Sequence, residues 1–242
     1  ALSSPYIVTG SVLVNEGVTL TIEAGVEVKF DAGKALQING ELIAQGTESD
    51  EITFTSNASS PAAGDWGKIT FLDASVDASF SGTTYTGGCI LEYCTIEYGS
   101  GVLLNLGNPF INYCTVRYMD GVGIYMDSHD YDSNRNATIR ITNNTIHNNT
   151  KGIRTYGYGT VTIDNNTVRN NTDGGIGNVS YDCTVSNNTI KNNTGISEIY
   201  ASVASGIYQG EEHQSLPSDG LYKSIDGGLS WEQVLPNIVG SN

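Results

Sequence analysis

The stretch ITNNTIHNNT at residues 141–150 decides the fold, because it recurs as IDNNTVRNNT at 163–172 and as VSNNTIKNNT at 185–194. Each copy begins 22 residues after the previous one. Self-similarity at a fixed period of this length is typical of repeat architectures in which each repeat stacks on its neighbours. The middle of the chain is therefore predicted to be a solenoid.

The same pattern continues upstream in different letters. YCTI at 93–96 and YCTV at 113–116 are 20 residues apart, and a longer step to the first Asn repeat contains the polar loop 127–134. Short runs between these marks, such as TIRI at 138–141, alternate with a period of two and are rich in β-branched residues. Such runs predict strands, and stacked strands lie about 4.8 Å apart. The alternating stretch 17–30 predicts that the N-terminal part has the same architecture.

The repeat form x-I-x-N-N-T-I-x-N-N-x-x-G-I resembles the right-handed parallel β-helix repeat of pectate-lyase-like proteins. The resemblance implies an all-β fold, a right-handed parallel β-helix (solenoid) over residues 1–200. At roughly 22 residues per coil, this length corresponds to about nine coils and a rod on the order of 40 Å long.

Residues 201–242 are predicted to be a separate element, because the Asn repeat stops before them. The sequence SIDGGLSW at 224–231 matches the Asp-box, S-x-D-x-G-x-[ST]-W, of sialidase-type propeller repeats. The resemblance implies a short β-hairpin in which the aspartate bonds the turn backbone and the tryptophan packs beneath it. This tail is predicted to be a capping hairpin or a partial propeller blade. The motif positions are Ser224, Asp226, Gly228 and Trp231.

The composition excludes several classes of partner. The chain has 242 residues, 11 Lys and Arg against 26 Asp and Glu, and a formal charge of −15. Nucleic acids and anionic membranes both require clustered basic residues, so neither is an expected partner. No apolar run approaches 18 residues, which argues against membrane insertion. Low Lys with abundant Asn, Thr, Ser, Gly and Tyr predicts a secreted or cell-surface protein.

One column of the repeat predicts an internal ladder. Stacked side-chain amides can hydrogen-bond along the solenoid axis, and small cysteines in the same column indicate that the position points inward. Parallel side-chain directions on adjacent coils are poor disulfide geometry, so free thiols are expected. The column consists of Cys94, Cys114, Asn144, Asn166 and Asn188.

Three sequons outside the repeat are candidate N-glycosylation sites, namely Asn57, Asn136 and Asn178. The sequons inside the repeat have a simpler explanation, because a repeat built on Asn-Asn-Thr creates them.

Tyrosines are the candidate ligand-binding residues. Exposed aromatic stripes on a flat β face can stack sugar rings, whereas the alternative is cross-coil packing of half-buried rings. The sequence leaves both interpretations open. Two pairs share repeat columns and two further tyrosines lie near the long loop; the six residues are Tyr93, Tyr98, Tyr113, Tyr118, Tyr125 and Tyr156.

The long loop is the candidate metal site. Asp127, Asp130 and Asp132 place three hard oxygen donors within six residues, which suits calcium. The loop lacks the full D-x-D-x-D-G form, and the alternative is a solvated acidic loop. No cofactor is required, and calcium is the one cofactor that the sequence admits.

Many enzymes use this fold, so the sequence could contain catalytic motifs. An outward row runs from Glu97 through Arg117, His147 and Arg169 to Lys191, and it contains bases on successive coils. NTDG at 171–174 resembles the N-T-D motif of polygalacturonases, but the companion motifs that those enzymes need are missing from the sequence. No catalytic residue is assigned, and the prediction leans against an enzyme.

The ends of a β-helix carry unpaired strand edges that natural solenoids cap. Residues 1–16 show no amphipathic helical pattern that could serve as a cap. The sequence therefore predicts an extracellular structural or adhesive module that assembles end to end, as a filament or surface-layer subunit, or that belongs to a longer surface protein. One alternative is a carbohydrate-binding surface module. A second is a calcium-dependent polysaccharide lyase or glycoside hydrolase.

Overall fold

The computed structural model describes residues 4–128, 138–157, 159–177 and 182–193, and five strands between residues 199 and 236. The described residues form strands and turns and contain no helix, hence none that could span a membrane.

The β-helix has three long sheets, and successive strands along the chain visit them in a fixed order. Each strand pairs in parallel with the equivalent strand of the next coil, as Thr115–Arg117 does with Thr145–His147. The first sheet contains Tyr6–Val8, Glu27–Phe30, Ile52–Ser56, Cys94–Glu97, Thr115–Arg117, Thr145–His147, Thr167–Arg169 and Thr189–Lys191. The second contains Val12–Val14, Leu36–Ile38, Ile69–Phe71, Val102–Asn105, Val122–Ser128, Lys151–Gly157 and Ile176–Gly177. The third contains Thr19–Ile22, Glu41–Gln45, Ile90–Glu92, Phe110–Asn112, Thr138–Thr142, Thr160–Asp164 and Asp182–Ser186.

The right-handed parallel β-helix predicted from the repeat is confirmed. The described strands make seven complete coils and the first strand of an eighth. The third and fifth coils are longer than the average repeat, so the chain makes fewer coils than the nine or so that the average period predicts. The coils are numbered here by residues: coil 1 (6–22), coil 2 (27–45), coil 3 (52–92), coil 4 (94–112), coil 5 (115–142), coil 6 (145–164), coil 7 (167–186) and coil 8 (from 189).

The core lies inside the coils because alternate residues of every strand point to the solenoid axis. Coils 2 and 3 fill it with aromatic rings, and Phe30 stacks on Trp66 with centroids 4.3 Å apart. Coils 5 to 7 fill it with smaller aliphatic side chains such as Ile141, Ile146 and Val168.

A hairpin inserted in coil 3, formed by Ser79–Ser81 and Thr84–Gly87, covers part of the outer face of the third sheet. Its Phe80 ring packs edge-on against Phe110, with centroids 5.2 Å apart. Arg140 of the third sheet lies over the same ring and donates a hydrogen bond of 2.8 Å to the carbonyl of Gly82. The hairpin is thus attached by apolar contacts and by one arginine.

The tail has its own antiparallel pairs, in which Gly220–Ser224 lies between the other two strands of a three-stranded sheet. Asp226, Gly228 and Trp231 lie outside the described residues, so the Asp-box hairpin remains a prediction, as does the division at residue 200. The tail strands are Ile199–Val203, Ile207–Tyr208, Glu211–Glu212, Gly220–Ser224 and Glu232–Pro236.

Candidate functional site

From coil 4 to coil 8, the chain turns sharply between the third and first sheets at a single residue with positive φ, and it turns again after the first sheet in the same way. Asn tolerates this left-handed conformation better than most residues, which explains its recurrence in coils 6 to 8. Tyrosine occupies the same corners in coils 4 and 5. The corner residues are Tyr93, Tyr113, Asn143, Asn165 and Asn187 at the first turn, and Tyr98, Tyr118, Asn148, Asn170 and Asn192 at the second.

The residue after each first corner points inward and forms a hydrogen-bonded ladder. The Asn166 side-chain oxygen accepts bonds of 2.9 Å and 3.0 Å from the backbone and side-chain nitrogens of Asn144. Its side-chain nitrogen donates to the carbonyl of Ile141 at 2.9 Å. Cys114 joins the ladder by donating its backbone N–H to Asn144, and Asn188 continues it by accepting from the backbone of Asn166.

A second inward ladder follows the second corner, and the sequence analysis did not identify it. Asn149, Asn171 and Asn193 repeat the same bonding, and Asn149 accepts the backbone N–H of Met119 at 3.0 Å. The signal was present, since these residues follow their corner residues as Asn144 follows Asn143. Two amide ladders therefore hold coils 5 to 8 along two edges of the prism.

The cysteines of the first ladder column are buried free thiols. Cys94 lies in the same column as Cys114. Burial is the main cause that raises the pKa of the Cys94 thiol, and the hydrogen bond with Cys114 raises it further. Burial likewise raises the pKa of Cys89 to about 11. Thiols that are buried and protonated make poor nucleophiles, so these positions are structural.

The corner tyrosines stack on one another between coils. Tyr93 and Tyr113 have ring centroids 4.8 Å apart with planes within 4° of parallel. Tyr98 and Tyr118 have centroids 5.2 Å apart with planes within 11°. Each ring therefore covers one face of its partner, and a sugar ring would find that face already occupied.

The other two tyrosines lie on adjacent coils at the outer face of the second sheet. Tyr125 is opposite Arg154, and Asp127 is opposite Tyr156. The Arg154 guanidinium carbon is 5.9 Å from the centroid of the Tyr125 ring. Burial is the main cause that raises the pKa of Tyr125, and the negative charge of Asp127 raises it further.

A groove of about 410 Å³ begins beside Tyr125 and crosses coils 3 to 5. Lys68, Leu103 and Asp120 line it together with the tyrosine. The groove thus combines an aromatic ring, an apolar side chain and charges of both signs, which is the chemistry of a small polar-ligand site.

The predicted calcium ligands are only partly described. Asp127 belongs to the strand Val122–Ser128, whereas Asp130 and Asp132 lie outside the described residues. Within the described part of the chain, no three acidic, histidine or cysteine side chains are grouped for a metal ion. The calcium site remains a prediction.

Of the candidate glycosylation sites, only Asn57 is described. It is exposed directly after the strand Ile52–Ser56, and its side-chain nitrogen donates a hydrogen bond of 2.8 Å to Asp31. Asn136 and Asn178 lie outside the described residues.

At the coil-1 end of the solenoid, the described residues leave an apolar surface uncovered. The three strands at this end are the terminal strands of their sheets. Tyr6 is 46% exposed and Val12 38% exposed, although both pair in register with core positions of coil 2. A hollow of about 880 Å³ opens there and reaches Phe30 and Phe54 in the core.

The outward row predicted from the repeat forms one column of the first sheet. Arg117, His147 and Arg169 are direct neighbours on consecutive coils, and Lys191 follows. Glu97 caps the row at coil 4 through an ion pair of 2.7 Å with Arg117. We call Arg117, His147, Arg169 and Lys191 the cation column.

Comparisons with known families agree with this architecture. The family model described as "Right handed beta helix region" matches residues 83–212, and that described as "Pectate-lyase like beta helix domain" matches residues 1–119. The first covers more than half of the chain, so the protein belongs to the right-handed β-helix family. Searches found no significantly similar curated protein and no significantly similar solved structure. Pectate-lyase-like β-helix domains fit a polysaccharide-related or surface module.

Proposed function

We propose that this chain is a structural or adhesive β-solenoid module of an extracellular surface protein, and that it assembles end to end through coil 1. The observation that carries the proposal is the open apolar end, where inward side chains of the first coil are exposed to solvent. The composition, low in Lys and rich in Asn, Thr, Ser and Gly, supports the extracellular setting.

Two features of the end act together. Among the described strands, Tyr6–Val8, Val12–Val14 and Thr19–Ile22 each pair only with coil 2, which leaves three rows of backbone groups facing outward. Between those rows, Tyr6, Val12 and Leu20 surround the hollow. A partner must therefore satisfy the strand edges and also bury the apolar centre.

The end of a second solenoid meets both demands at once. It presents three strand edges on the same triangular outline with an apolar centre between them. A helix laid across the end would cover the hollow but would leave the three edges without β partners. The proposed partner is therefore a second copy of this chain, in a filament, a surface layer or a closed dimer.

Sedimentation velocity with end-surface variants tests the proposal. The wild-type chain should associate as its concentration rises, and Val12→Lys should sediment as a single chain because a charge enters the joint. Val76→Lys is the matched control, since Val76 is also exposed, at 45%, but belongs to coil 3 and not to the terminal coil. A discrete dimer would indicate that two coil-1 ends pair with each other. A series of oligomers that keeps growing with concentration would indicate a filament.

A wild-type chain that remains monomeric at every concentration would contradict end-to-end assembly. Equal loss of association in both lysine variants would also contradict it, because the effect would then not depend on coil 1.

A second candidate function is glycan binding at the groove beside Tyr125. The favouring observation is the combination of this ring with Lys68 and Asp120 in one depression. Tyr125→Ala should then weaken retention on insoluble polysaccharide. Tyr113→Ala should leave retention unchanged, because that ring is stacked on Tyr93 outside the groove. Equal retention of wild type and Tyr125→Ala would exclude the groove.

A further inference from the structure

Four tyrosines at the corners of coils 4 and 5 form two stacked pairs. Tyr93 and Tyr113 follow the third sheet and form the first pair, and Tyr98 and Tyr118 follow the first sheet and form the second pair. All four residues have φ between 47° and 63°. Because their backbone angles are alike, corner residues on adjacent coils project their rings in the same direction. The rings therefore stack at a spacing close to the distance of about 4.8 Å between strands.

The rings of the first pair are the closer and the more nearly parallel. Their centroids are 4.8 Å apart and their planes differ by 4°, against 5.2 Å and 11° in the second pair. The backbone holds both corners in place, because Tyr93 donates its N–H to the carbonyl of Asn112 at 3.2 Å and Tyr113 donates its N–H to the carbonyl of Thr142 at 3.3 Å. The two phenol rings are thus held face to face before any reaction between them, which removes most of the entropic cost of bringing them together.

The two pairs differ in how far solvent reaches them. Tyr113 of the first pair is 46% exposed, whereas both rings of the second pair are only partly exposed. Neighbours surround the second pair, since Arg117 of the cation column lies 5.5 Å from the centroid of the Tyr118 ring and the His147 ring packs edge-on against it at 6.1 Å. An oxidant in solution therefore reaches the first pair more easily than the second.

The first pair lies where the amide ladder is missing. From coil 5 onward the inward ladder connects each coil to the next, but at the junction of coils 4 and 5 its column contains Cys94 and Cys114, which have no side-chain amide. The Cys114 thiol donates instead to the carbonyl of Leu91 at 3.3 Å. Tyr93 and Tyr113 precede these two cysteines by one residue each. A covalent bond between the two rings would therefore connect the coils at a junction without a ladder bond.

Oxidised tyrosines can couple through their rings. A peroxidase takes one electron from each of two phenols, and each hydroxyl proton passes to water. Hydrogen peroxide accepts the two electrons and two protons and becomes two water molecules. The two phenoxyl radicals combine by forming a carbon–carbon bond between ring carbons that adjoin the oxygens. The hydrogen atoms on those carbons then move to the oxygens, which restores both phenols in the product, dityrosine.

We infer that Tyr93 and Tyr113 form an oxidative cross-linking site, at which a peroxidase and hydrogen peroxide join the two rings as dityrosine and so fasten coil 4 to coil 5. The bond closes a loop between residues that are 20 positions apart. It restricts the unfolded chain as a disulfide does, in a place where the buried cysteines remain free thiols. The site belongs to coils 4 and 5 and not to the terminal coil, so it does not depend on the proposed function.

Treatment of the dilute full chain with a peroxidase and hydrogen peroxide tests the site. The wild-type chain should gain the fluorescence of dityrosine while it still migrates as a single chain on a denaturing gel. Cleavage after glutamate separates Tyr93 from Tyr113, because Glu97 lies between them. Mass spectrometry should therefore find two linked peptides, one with each tyrosine, whose joint mass is lower by two hydrogen atoms.

Two phenylalanine variants show which pair reacts. Tyr113→Phe keeps a stacked ring but has no phenol to oxidise, so it should lower the single-chain fluorescence about tenfold. Tyr118→Phe is the matched control, because it makes the same change in the second pair, and it should retain the signal. Thermal melts of both variants verify that the fold is retained.

A single-chain product with the bond between Tyr93 and Tyr113 would support the inference. The absence of dityrosine would overturn it, and so would dityrosine that occurs only in covalently linked dimers, because the rings would then react between chains and not between coils. Equal losses of fluorescence in Tyr113→Phe and Tyr118→Phe would overturn it too, since the exposed pair would then have no preference over the covered one.

Discussion

Different interactions stabilise the N-terminal and the C-terminal coils of the β-helix. Coils 2 and 3 rely on aromatic packing, with the Phe30 and Trp66 rings stacked in the core. Coils 6 to 8 rely on amide ladders. A single ladder residue such as Asn166 makes hydrogen bonds both to the coil before it and to the coil after it. The backbone path is the same in both regions.

The difference supports the choice of coil 1 as the proposed site of association. An amide ladder extends from coil to coil by hydrogen bonds that water can replace where the ladder stops. An aromatic and aliphatic core has no such substitute, and its last layer exposes Tyr6 and Val12. Four substitution experiments, in descending order of expected effect, examine this contrast, and a fifth measurement tests the joint at coil 1.

Removal of an aromatic ring from the N-terminal core should have the largest effect. Trp66→Ala should lower the free energy of unfolding by about 4 kcal/mol, because it empties a fully buried site and removes the stack on Phe30. Trp66→Phe keeps a ring and loses mainly the indole hydrogen bond to the Glu97 carbonyl, so it should cost less. Urea denaturation measures both, and equal losses would show that the stack contributes little.

Interruption of the amide ladder should come next. Asn166→Ala should cost about 3 kcal/mol, because buried groups of Asn144 and Ile141 lose their partners. Asn165→Gly is the matched control one residue earlier, and it should change stability by less than about 1 kcal/mol because glycine adopts the positive φ of 56° freely. The same denaturation experiment applies. Similar losses for the two variants would contradict a ladder that stabilises from within.

The stacked tyrosines at the middle corners should contribute a smaller energy. A double-mutant cycle with Tyr93→Asn and Tyr113→Asn should give a coupling of about 1 kcal/mol, since the rings lie 4.8 Å apart and nearly parallel. Each single change also relieves the left-handed strain on tyrosine, so the single variants should be close to wild type. Zero coupling would show that the rings are neighbours without mutual stabilisation.

The smallest effect should be the pH dependence from His147. Burial and the nearby arginines lower its pKa in the folded state, so the unfolded chain binds the proton more readily. The free energy of unfolding should therefore be fully retained above about pH 6.5 and should decline as the pH falls towards the lower folded pKa. His147→Gln should remove this part of the dependence. Identical pH profiles for wild type and variant would contradict the assignment.

The repeated letters of the chain were sufficient to predict the β-helix and the alignment of Asn144, Asn166 and Asn188, because hydrogen bonding between coils imposes the period directly. The inward role of Asn149 was also present in the repeat but needed the corner geometry to interpret it.

Other features depend on which elements meet in space, so the local sequence pattern does not encode them. The hairpin over Phe110 follows no period, and the attachment of Arg140 joins residues 58 positions apart. The open end is a similar case. Val12 alternates like any core residue, and only the absence of a described strand beyond coil 1 makes it exposed.

Hydrogen exchange of the coil-1 amides, measured over a range of protein concentrations, tests end-to-end assembly most directly. The proposal predicts that outward-facing amides of Tyr6–Val8 and Val12–Val14 exchange quickly in dilute solution and slowly at high concentration, whereas amides of Thr145–His147 do not change. Coil-1 amides that exchange at the same rate at every concentration would contradict the joint at coil 1.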